Sequence, residues 1–478
     1  MSLNQEQIAH VVEEVVRKYR AQQALSGQKP TSTPSTISQS DGIFANIDDA
    51  LAAAEIAQQQ LMELTLQNRK DIIAAMRAAS LENAEYLAQL AHEETGLGRV
   101  EHKVIKNRIA AIKTPGTEDL VSTAYSGDDG LTVVEMAPYE VIGSITPSTN
   151  PTSTVINNSI GMVAAGNAVV FNPHPGAAHC SNETVRILNR AILSVGGPAN
   201  LLSSTTTPTL ESSQRIMQHP QVKLLVVTGG GAVVKAAMSS GKNCIAAGPG
   251  NPPVIVDNTA DLQKAGKYIV DGATFDNNIL CTAEKEVFVF HNVADQLKEE
   301  MKHNGAYELL DRQIDELVHI TVEDIASDHP RANREWIGKD AHLILEKLGI
   351  NVGGEIRLII AEVDERHPFV IAEMLMPILP IIRVDNIHEA LEKAKKAEHG
   401  FKHTAMMHST NLPNLALVSR HIETTIFVKN APSYAGLGVG GEGFTTLSIA
   451  GPTGQGLTSA RCFTRQRRCV LKDAFRIV

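Results

Sequence analysis

Val222-Lys223-Leu224-Leu225-Val226-Val227-Thr228-Gly229-Gly230-Gly231-Ala232-Val233-Val234-Lys235 is the stretch on which the fold turns. The apolar run Val222–Val227 reads as a strand, enters the small-residue turn Thr228–Gly231, and leaves it as a helix over Ala232–Ser239. Small residues at such a turn let a phosphate-bearing ligand approach the N–H groups at the helix start. The run is neither a P-loop nor a GxGxxG, and a turn without any ligand has the same local signature. Upstream the alternation repeats, with helix Thr154–Ala165, strand Ala168–Phe171 and helix Asn182–Ser194. That rhythm predicts parallel βαβ units in a doubly wound α/β sheet.

Further out, Ile43 to about Lys113 is almost wholly helical and stops at Thr114-Pro115-Gly116. Strands are expected at Leu131–Met136 and Glu140–Ile145, with Gly127-Asp128-Asp129-Gly130 as the turn before the first. A second alternating region runs from near Asp271 to about Val428, with strands at Glu286–Phe290, Arg357–Ala361 and Ile378–Val384. The glycine-rich tract Gly436–Gly443 and a strand-like Arg468–Leu471 follow.

At 478 residues the chain exceeds the size at which one core stops growing, so more than one domain is expected. A hydrophobic content of 43% with 20% charged residues describes an ordinary soluble globular protein. The net charge of -10 argues against a nucleic-acid partner, which needs a basic face. Arg465-Gln466-Arg467-Arg468 reads as a solvated or subunit-contacting edge. The five cysteines, 180, 244, 281, 462 and 469, show no CxxC spacing, so neither a metal site nor a disulfide framework is expected and the reducing cytoplasm is the default. No apolar run has membrane-spanning length, and no secretory signal pattern opens the chain.

Residues 1–20 form a separate device. Ile8, Val11, Val12, Val15, Val16 and Tyr19 fall at steps of three and four, on one face of a helix over Asn4–Arg20. Residues 21–42 are rich in Ser, Thr, Gln and Pro and too poor in apolar side chains to fold, so they read as a linker. An amphipathic helix on such a tether reads as a docking peptide for a groove, ahead of a helix folded back on the body or one lying on a membrane.

Cys281 stands in Phe275-Asp276-Asn277-Asn278-Ile279-Leu280-Cys281-Thr282-Ala283-Glu284-Lys285, between an amide-rich stretch and a strand. Such a cysteine is either a placed nucleophile or a packed thiol. Far upstream, Ile145-Thr146-Pro147-Ser148-Thr149-Asn150-Pro151 offers an amide side chain of the kind that stabilises an oxyanion.

These motifs together resemble the aldehyde dehydrogenase superfamily, and within it the coenzyme A-acylating propionaldehyde/acetaldehyde dehydrogenases of bacterial microcompartments. The resemblance extends over essentially the whole chain. It is carried by Thr146–Pro151, Phe171-Asn172-Pro173-His174-Pro175, Val227–Gly230, Gly248-Pro249-Gly250-Asn251-Pro252-Pro253, Asn277–Lys285, Glu373 with Pro377, and Gly438–Gly443. It implies two doubly wound α/β domains plus a β oligomerisation extension. The domains are then residues 43–270 for the dinucleotide, with a β segment near 120–137 for oligomerisation, and 271–445 for catalysis. Residues 446–478 become a C-terminal oligomerisation segment, and residues 1–20 deliver the enzyme to shell or core proteins inside a microcompartment lumen. A homo-dimer or homo-tetramer is implied.

Carried over by residue, the resemblance makes Cys281 the nucleophile and Asn150, with the Cys281 N–H, the oxyanion donor. Thr146, Pro147, Ser148, Asn172, His174, Thr228, Gly229 and Gly230 match positions lining the dinucleotide site, and Glu373 matches the carboxylate on the nicotinamide ribose. A short aliphatic aldehyde, propanal or acetaldehyde, is the implied substrate and coenzyme A the acceptor. Two departures from hydrolytic relatives matter. The glutamate that activates deacylating water in those enzymes is replaced by Ala247, which favours a thiol acceptor, with Glu284 as the competing candidate base. Asn172 and Pro175 stand where relatives carry a lysine and a glutamate, and with no Arg or Lys there to invite a 2′-phosphate NAD is preferred over NADP. His174, His403 and His408 are the imidazoles weighed for tuning Cys281, taking the coenzyme A proton or touching the cofactor. The competing readings are a cysteine acyltransferase or thioesterase with no redox step, and a scaffold on an inactivated dehydrogenase fold.

Overall fold

A computed structural model describes residues 41–327 and 329–475. The expectations for the helix and linker in residues 1–40 lie outside the described residues.

The first half is built on a six-stranded parallel sheet, in the order Ile43–Phe44, Leu202–Thr205, Ala168–Pro173, Val141–Thr146, Val222–Thr228, Asn243–Ala247. Strand order reverses direction between Val141–Thr146 and Val222–Thr228, which creates a crevice at their carboxyl ends. Helix Pro151–Ala164 is buried along all 14 residues. Its Ile156, Ile160 and Val163 share one core with Val141, Ile142, Val170, Leu225 and Val226 of the sheet. Two of its buried amides are satisfied by neighbouring hydroxyls. Asn157 donates to Thr114 Oγ1 at 2.8 Å and Asn158 to Ser144 Oγ at 3.1 Å.

A second, seven-stranded parallel sheet has the order Ala306–Glu308, Leu358–Glu362, Ile378–Val384, Glu286–Phe290, Pro253–Val256, Thr404–His408, Ile426–Lys429. Period-two alternation divides its side chains between two faces. Val254, Val287, Val289 and Ile381 pack with Ile269 and Val270 of helix Leu262–Ala273. Ile255, Phe288 and Ile382 pack on the other side with Ala390 and Ala394 of helix Ile387–Ala397. Burial on both faces is why these strands read as continuous apolar runs.

Three antiparallel strands, Thr123–Gly127, Gly130–Pro138 and Thr464–Lys472, form a separate ribbon. Its two outer strands are exposed almost throughout, with Tyr125, Val470 and Leu471 open to solvent and Arg465–Arg468 on the surface. No helix among the described residues is long and apolar enough to cross a membrane.

The division at 270/271 does not match the strand pairing. Pro253–Val256 lies inside the second sheet, bonded to Glu286–Phe290 and Thr404–His408, so the chain crosses between sheets at 248–252. A four-residue strand behind a Gly-Pro-Gly-Asn-Pro-Pro turn has too little length to announce itself. Residues 446–463 pack back on the first half, with Ala450, Ala460 and Phe463 in its core.

Candidate active site

The carboxyl ends of strands Val141–Thr146, Ala168–Pro173 and Val222–Thr228 bring eight of the sequence-selected residues to one edge: Thr146, Pro147, Ser148, Asn172, His174, Thr228, Gly229 and Gly230. Thr146 and Thr228 flank the reversal of strand order. The Thr146 hydroxyl is buried without a protein partner, and a Cβ on Gly230 or Gly231 would meet nothing within 4 Å. The N–H groups at the start of helix Gly231–Met238 are therefore open to approach, and this edge fits a dinucleotide. Asn172 contributes differently from its motif match. Its amide donates to Ser213 Oγ at 2.7 Å and accepts from Ser212 Oγ at 2.5 Å, so it braces the helix start at Leu210.

Cys281 lies at the opposite kind of edge, before strand Glu286–Phe290 and hence at the amino end of the second sheet. The crossing segment brings the two edges together. At Gly250 that segment runs so close that a Cβ would fall 2.5 Å from the Cys281 carbonyl oxygen and 3.0 Å from the His403 ring. Only glycine fits there.

The run Asp276-Asn277-Asn278 is left-handed, with φ of 51°, 52° and 66°. Three such residues in a row cost about 1–2 kcal/mol each for an ordinary side chain, and Asp and Asn bear it best because they bond locally. Each is tied down. Asp276 accepts from the Arg99 N–H at 2.7 Å, from Lys103 Nζ at 3.1 Å and from Lys106 Nζ. Asn277 donates to Gly338 O at 3.0 Å and Asp340 Oδ1 at 2.7 Å. Asn278 donates to Ala273 O and Glu284 O and accepts from Lys285 Nζ at 2.6 Å. Gly98 makes room for this turn, since a Cβ there would sit 2.0 Å from Asp276 Oδ1.

Asn150 caps helix Pro151–Ala164 without a side-chain capping bond. Its Oδ1 accepts from Lys106 Nζ at 2.7 Å, and its Nδ2 makes only a 3.2 Å bond to Thr149 Oγ1. The amide is thus turned so that its N–H group is the free end.

Burial and then the Glu373 carboxylate push the Cys281 thiol up to about 12, while Lys285, its own backbone N–H and Lys106 pull the other way. Burial brings Lys106 down to about 8 against the pull of Asp276. Burial also raises Glu373, with Lys285 and the Gly250 N–H opposing. His403, buried and facing the Lys285 charge, is held at about 4 and so stays neutral, and its Nε2 has no protein partner. Glu284, the alternative base, accepts from the Ser433 N–H at 2.8 Å and packs against Gly272, and burial lifts it to about 7. The carboxylate whose field acts most on the thiol is Glu373.

Of the three histidines weighed, His403 adjoins the Cys281 backbone. His408 ends its strand at the far edge of the sheet, and His174 is exposed beside the dinucleotide edge with Nδ1 accepting from Gly176 N at 3.1 Å. Sequence reasoning missed Lys103 and Lys106. Both look like ordinary charges of a solvated helix, and the one signal was their spacing of three, which puts them on one face of Val100–Lys113.

A crevice at a topological switch point, joined by a short crossing segment to a half-buried cysteine, is the arrangement of a cysteine-dependent dehydrogenase. The chain belongs to the aldehyde dehydrogenase family, which matches residues 20–447. It is 47% identical over 478 residues, all of both chains, to acetaldehyde dehydrogenase (acetylating) EutE of Escherichia coli K12. Among solved structures it is similar to Rhodopseudomonas palustris propionaldehyde dehydrogenase with bound CoA and an acylated cysteine, at TM-score 0.89 and 47% identity, covering 92% of this chain and 100% of that one. A propionaldehyde dehydrogenase from the Clostridium phytofermentans fucose utilisation bacterial microcompartment matches at TM-score 0.88 and 48% identity, covering 91% and 100%.

Proposed function

We propose that the protein is an NAD-linked, coenzyme A-acylating aldehyde dehydrogenase that converts a short aliphatic aldehyde, propanal or acetaldehyde, and coenzyme A to the acyl-coenzyme A. The observation that carries this reading is the crossing segment that follows Ala247, whose Gly250 lies against the Cys281 carbonyl oxygen and which brings no ionisable side chain of its own. The full-length similarity to acylating enzymes supports it, and a non-redox cysteine acyltransferase is not favoured.

In this reading the Cys281 sulfur, once deprotonated, bonds to the aldehyde carbon. The negative charge that develops on the carbonyl oxygen is taken up by the Asn150 Nδ2–H and the Cys281 N–H. The nicotinamide, when bound, supplies the hydride acceptor. Thr146, Pro147, Ser148, Thr228, Gly229 and Gly230 line its dinucleotide, Asn172 and His174 flank the adenosine end, and Glu373 holds the ribose beside the thiol. The acyl group is left on Cys281 as a thioester, and the thiol of coenzyme A displaces it. His403, neutral and with Nε2 unclaimed, can accept a hydrogen bond from the coenzyme A thiol, while its low proton affinity means it does not retain the proton. Water competes poorly because position 247 brings no base.

The sheet half up to 247 serves as the dinucleotide domain and the half after 252 as the catalytic one. The exposed ribbon Thr123–Pro138 with Thr464–Lys472 is the subunit contact of a homo-dimer or homo-tetramer. Residues 1–20 dock to shell or core proteins and hold the enzyme in a microcompartment lumen. The test is NADH absorbance with purified protein, NAD and propanal, with and without coenzyme A. NADH and propanoyl-coenzyme A formed together, only with coenzyme A, is the expected result. Equal NADH without it would overturn the acylating assignment.

A further inference from the structure

We propose that Lys106 is the positioning residue that aims the Asn150 amide at the reacting carbonyl, and that Asp276 couples that aim to the turn bearing Cys281. The inference rests on the reading of Cys281 and Asn150 given above.

An asparagine side chain has two ends, and only the N–H end stabilises an oxyanion. Something must choose between the two orientations. Asn150 has no capping bond to do so, although it stands at the start of helix Pro151–Ala164. The choice is made by Lys106, whose ammonium has donors only and gives one of them to Asn150 Oδ1 at 2.7 Å. A flipped amide would set N–H against N–H. Lys106 cannot turn away, because its other protons go to Asp276 Oδ2 and to Thr149 O at 3.3 Å. All of this is buried, with Lys106 and Asp276 essentially closed to solvent.

A bland role for Lys106 is charge balance for Asp276. Lys103 already meets that need, at 3.1 Å from the same carboxylate oxygen. What Lys106 adds beyond Lys103 is the bond to Asn150 Oδ1 and a longer one to the neighbouring Thr149 O, both on the segment that carries the amide. Asp276 is in turn the first residue of the left-handed run leading to Cys281, and it is fixed from the other side by the Arg99 N–H. One carboxylate therefore ties the oxyanion donor, through Lys106, to the backbone that presents the nucleophile.

The test is a double-mutant cycle on the full chain, comparing wild type, Lys106→Met, Asn150→Ala and the pair, with kcat and KM read from NADH and acyl-coenzyme A formation. Lys106→Met is expected to lower kcat by about 10- to 100-fold with KM for coenzyme A within about threefold, and by less than about threefold when Asn150 is already alanine. Losses that multiply in the pair, or an unchanged kcat in Lys106→Met, overturn the proposal. An Asn150→Ala enzyme with full kcat instead overturns the oxyanion reading beneath it. Should Lys106→Met not fold, Asn150→Asp decides. Lys106 would hold one carboxylate oxygen and aim the other, an acceptor, at the oxyanion, so this variant is expected to fall below Asn150→Ala in kcat. Equal or higher activity overturns the orientation argument.

Discussion

On the proposed mechanism, replacing Asn150 by alanine removes one of two donors to the oxyanion, and the structure separates its kinetic from its structural effect. Loss of one such donor raises a barrier by about 2.7–4 kcal/mol, or ~10²–10³ in kcat. Attack by Cys281 and acyl transfer to coenzyme A both build negative charge on the same oxygen, so the loss appears in kcat when either of these steps limits turnover and in single-turnover rates of those steps otherwise. The cost in stability is smaller. Helix Pro151–Ala164 receives no capping bond from Asn150 and loses none. Lys106 loses one charged hydrogen bond, about 1.5–3 kcal/mol at most, and keeps Asp276 and Thr149 O. Asn150→Ala should therefore purify as a folded protein with a melting midpoint a few degrees lower, and KM for coenzyme A should hold within about threefold. The assay is steady-state and single-turnover NADH formation with propanal, beside a thermal melt. A kcat within about fivefold of wild type, in a protein that melts normally, would refute the role given to this amide.

Ala247→Glu restores a carboxylate on the segment that passes Cys281, and the ratio of propanoic acid to propanoyl-coenzyme A, measured by chromatography, should rise at least severalfold; an unchanged ratio would remove the missing base as the reason for thiol transfer. In the ligand-free protein the Cys281 thiol sits far above neutral, so its alkylation by iodoacetamide, followed by peptide mass, should climb roughly tenfold per pH unit between pH 7 and 10, and a plateau near pH 8 would contradict the shift. Glu373→Gln takes away a negative charge that opposes the thiolate, so alkylation at any one pH should become faster, and a slower rate would reverse the sign argued here. Deleting residues 1–20 should leave kcat in solution unchanged but disperse a fluorescently tagged enzyme in cells that build compartments; unaltered co-localisation would count against docking.

Much of this molecule was legible in one dimension because local physics and tertiary outcome agree. The run Val222–Val227 with its glycine turn needs no partner to be recognised as strand, turn and helix, and it is observed as Val222–Thr228 leading into Gly231–Met238. Glu286–Phe290 and Ile378–Val384 are found where their apolar runs put them. The short strands Leu202–Thr205, Asn243–Ala247, Pro253–Val256 and Ile426–Lys429 were missed, since four or five residues carry no period and only pairing defines them.

The sequence by itself determined the doubly wound α/β class and the longer strands and helices, and it singled out Cys281, Asn150 and Ala247 as candidates, because each rests on a residue type within a local motif. Only the tertiary structure decided what holds those residues in relation to one another. Lys106 and Lys103 become buried partners of Asp276 through the packing of helix Val100–Lys113 on a turn far along the chain. The Asp-Asn-Asn run shows its left-handed backbone only when its side chains find Arg99, Gly338 and Lys285. Charge and amide direction at a buried site depend on distance and dielectric, and these exist only once the chain has closed on itself.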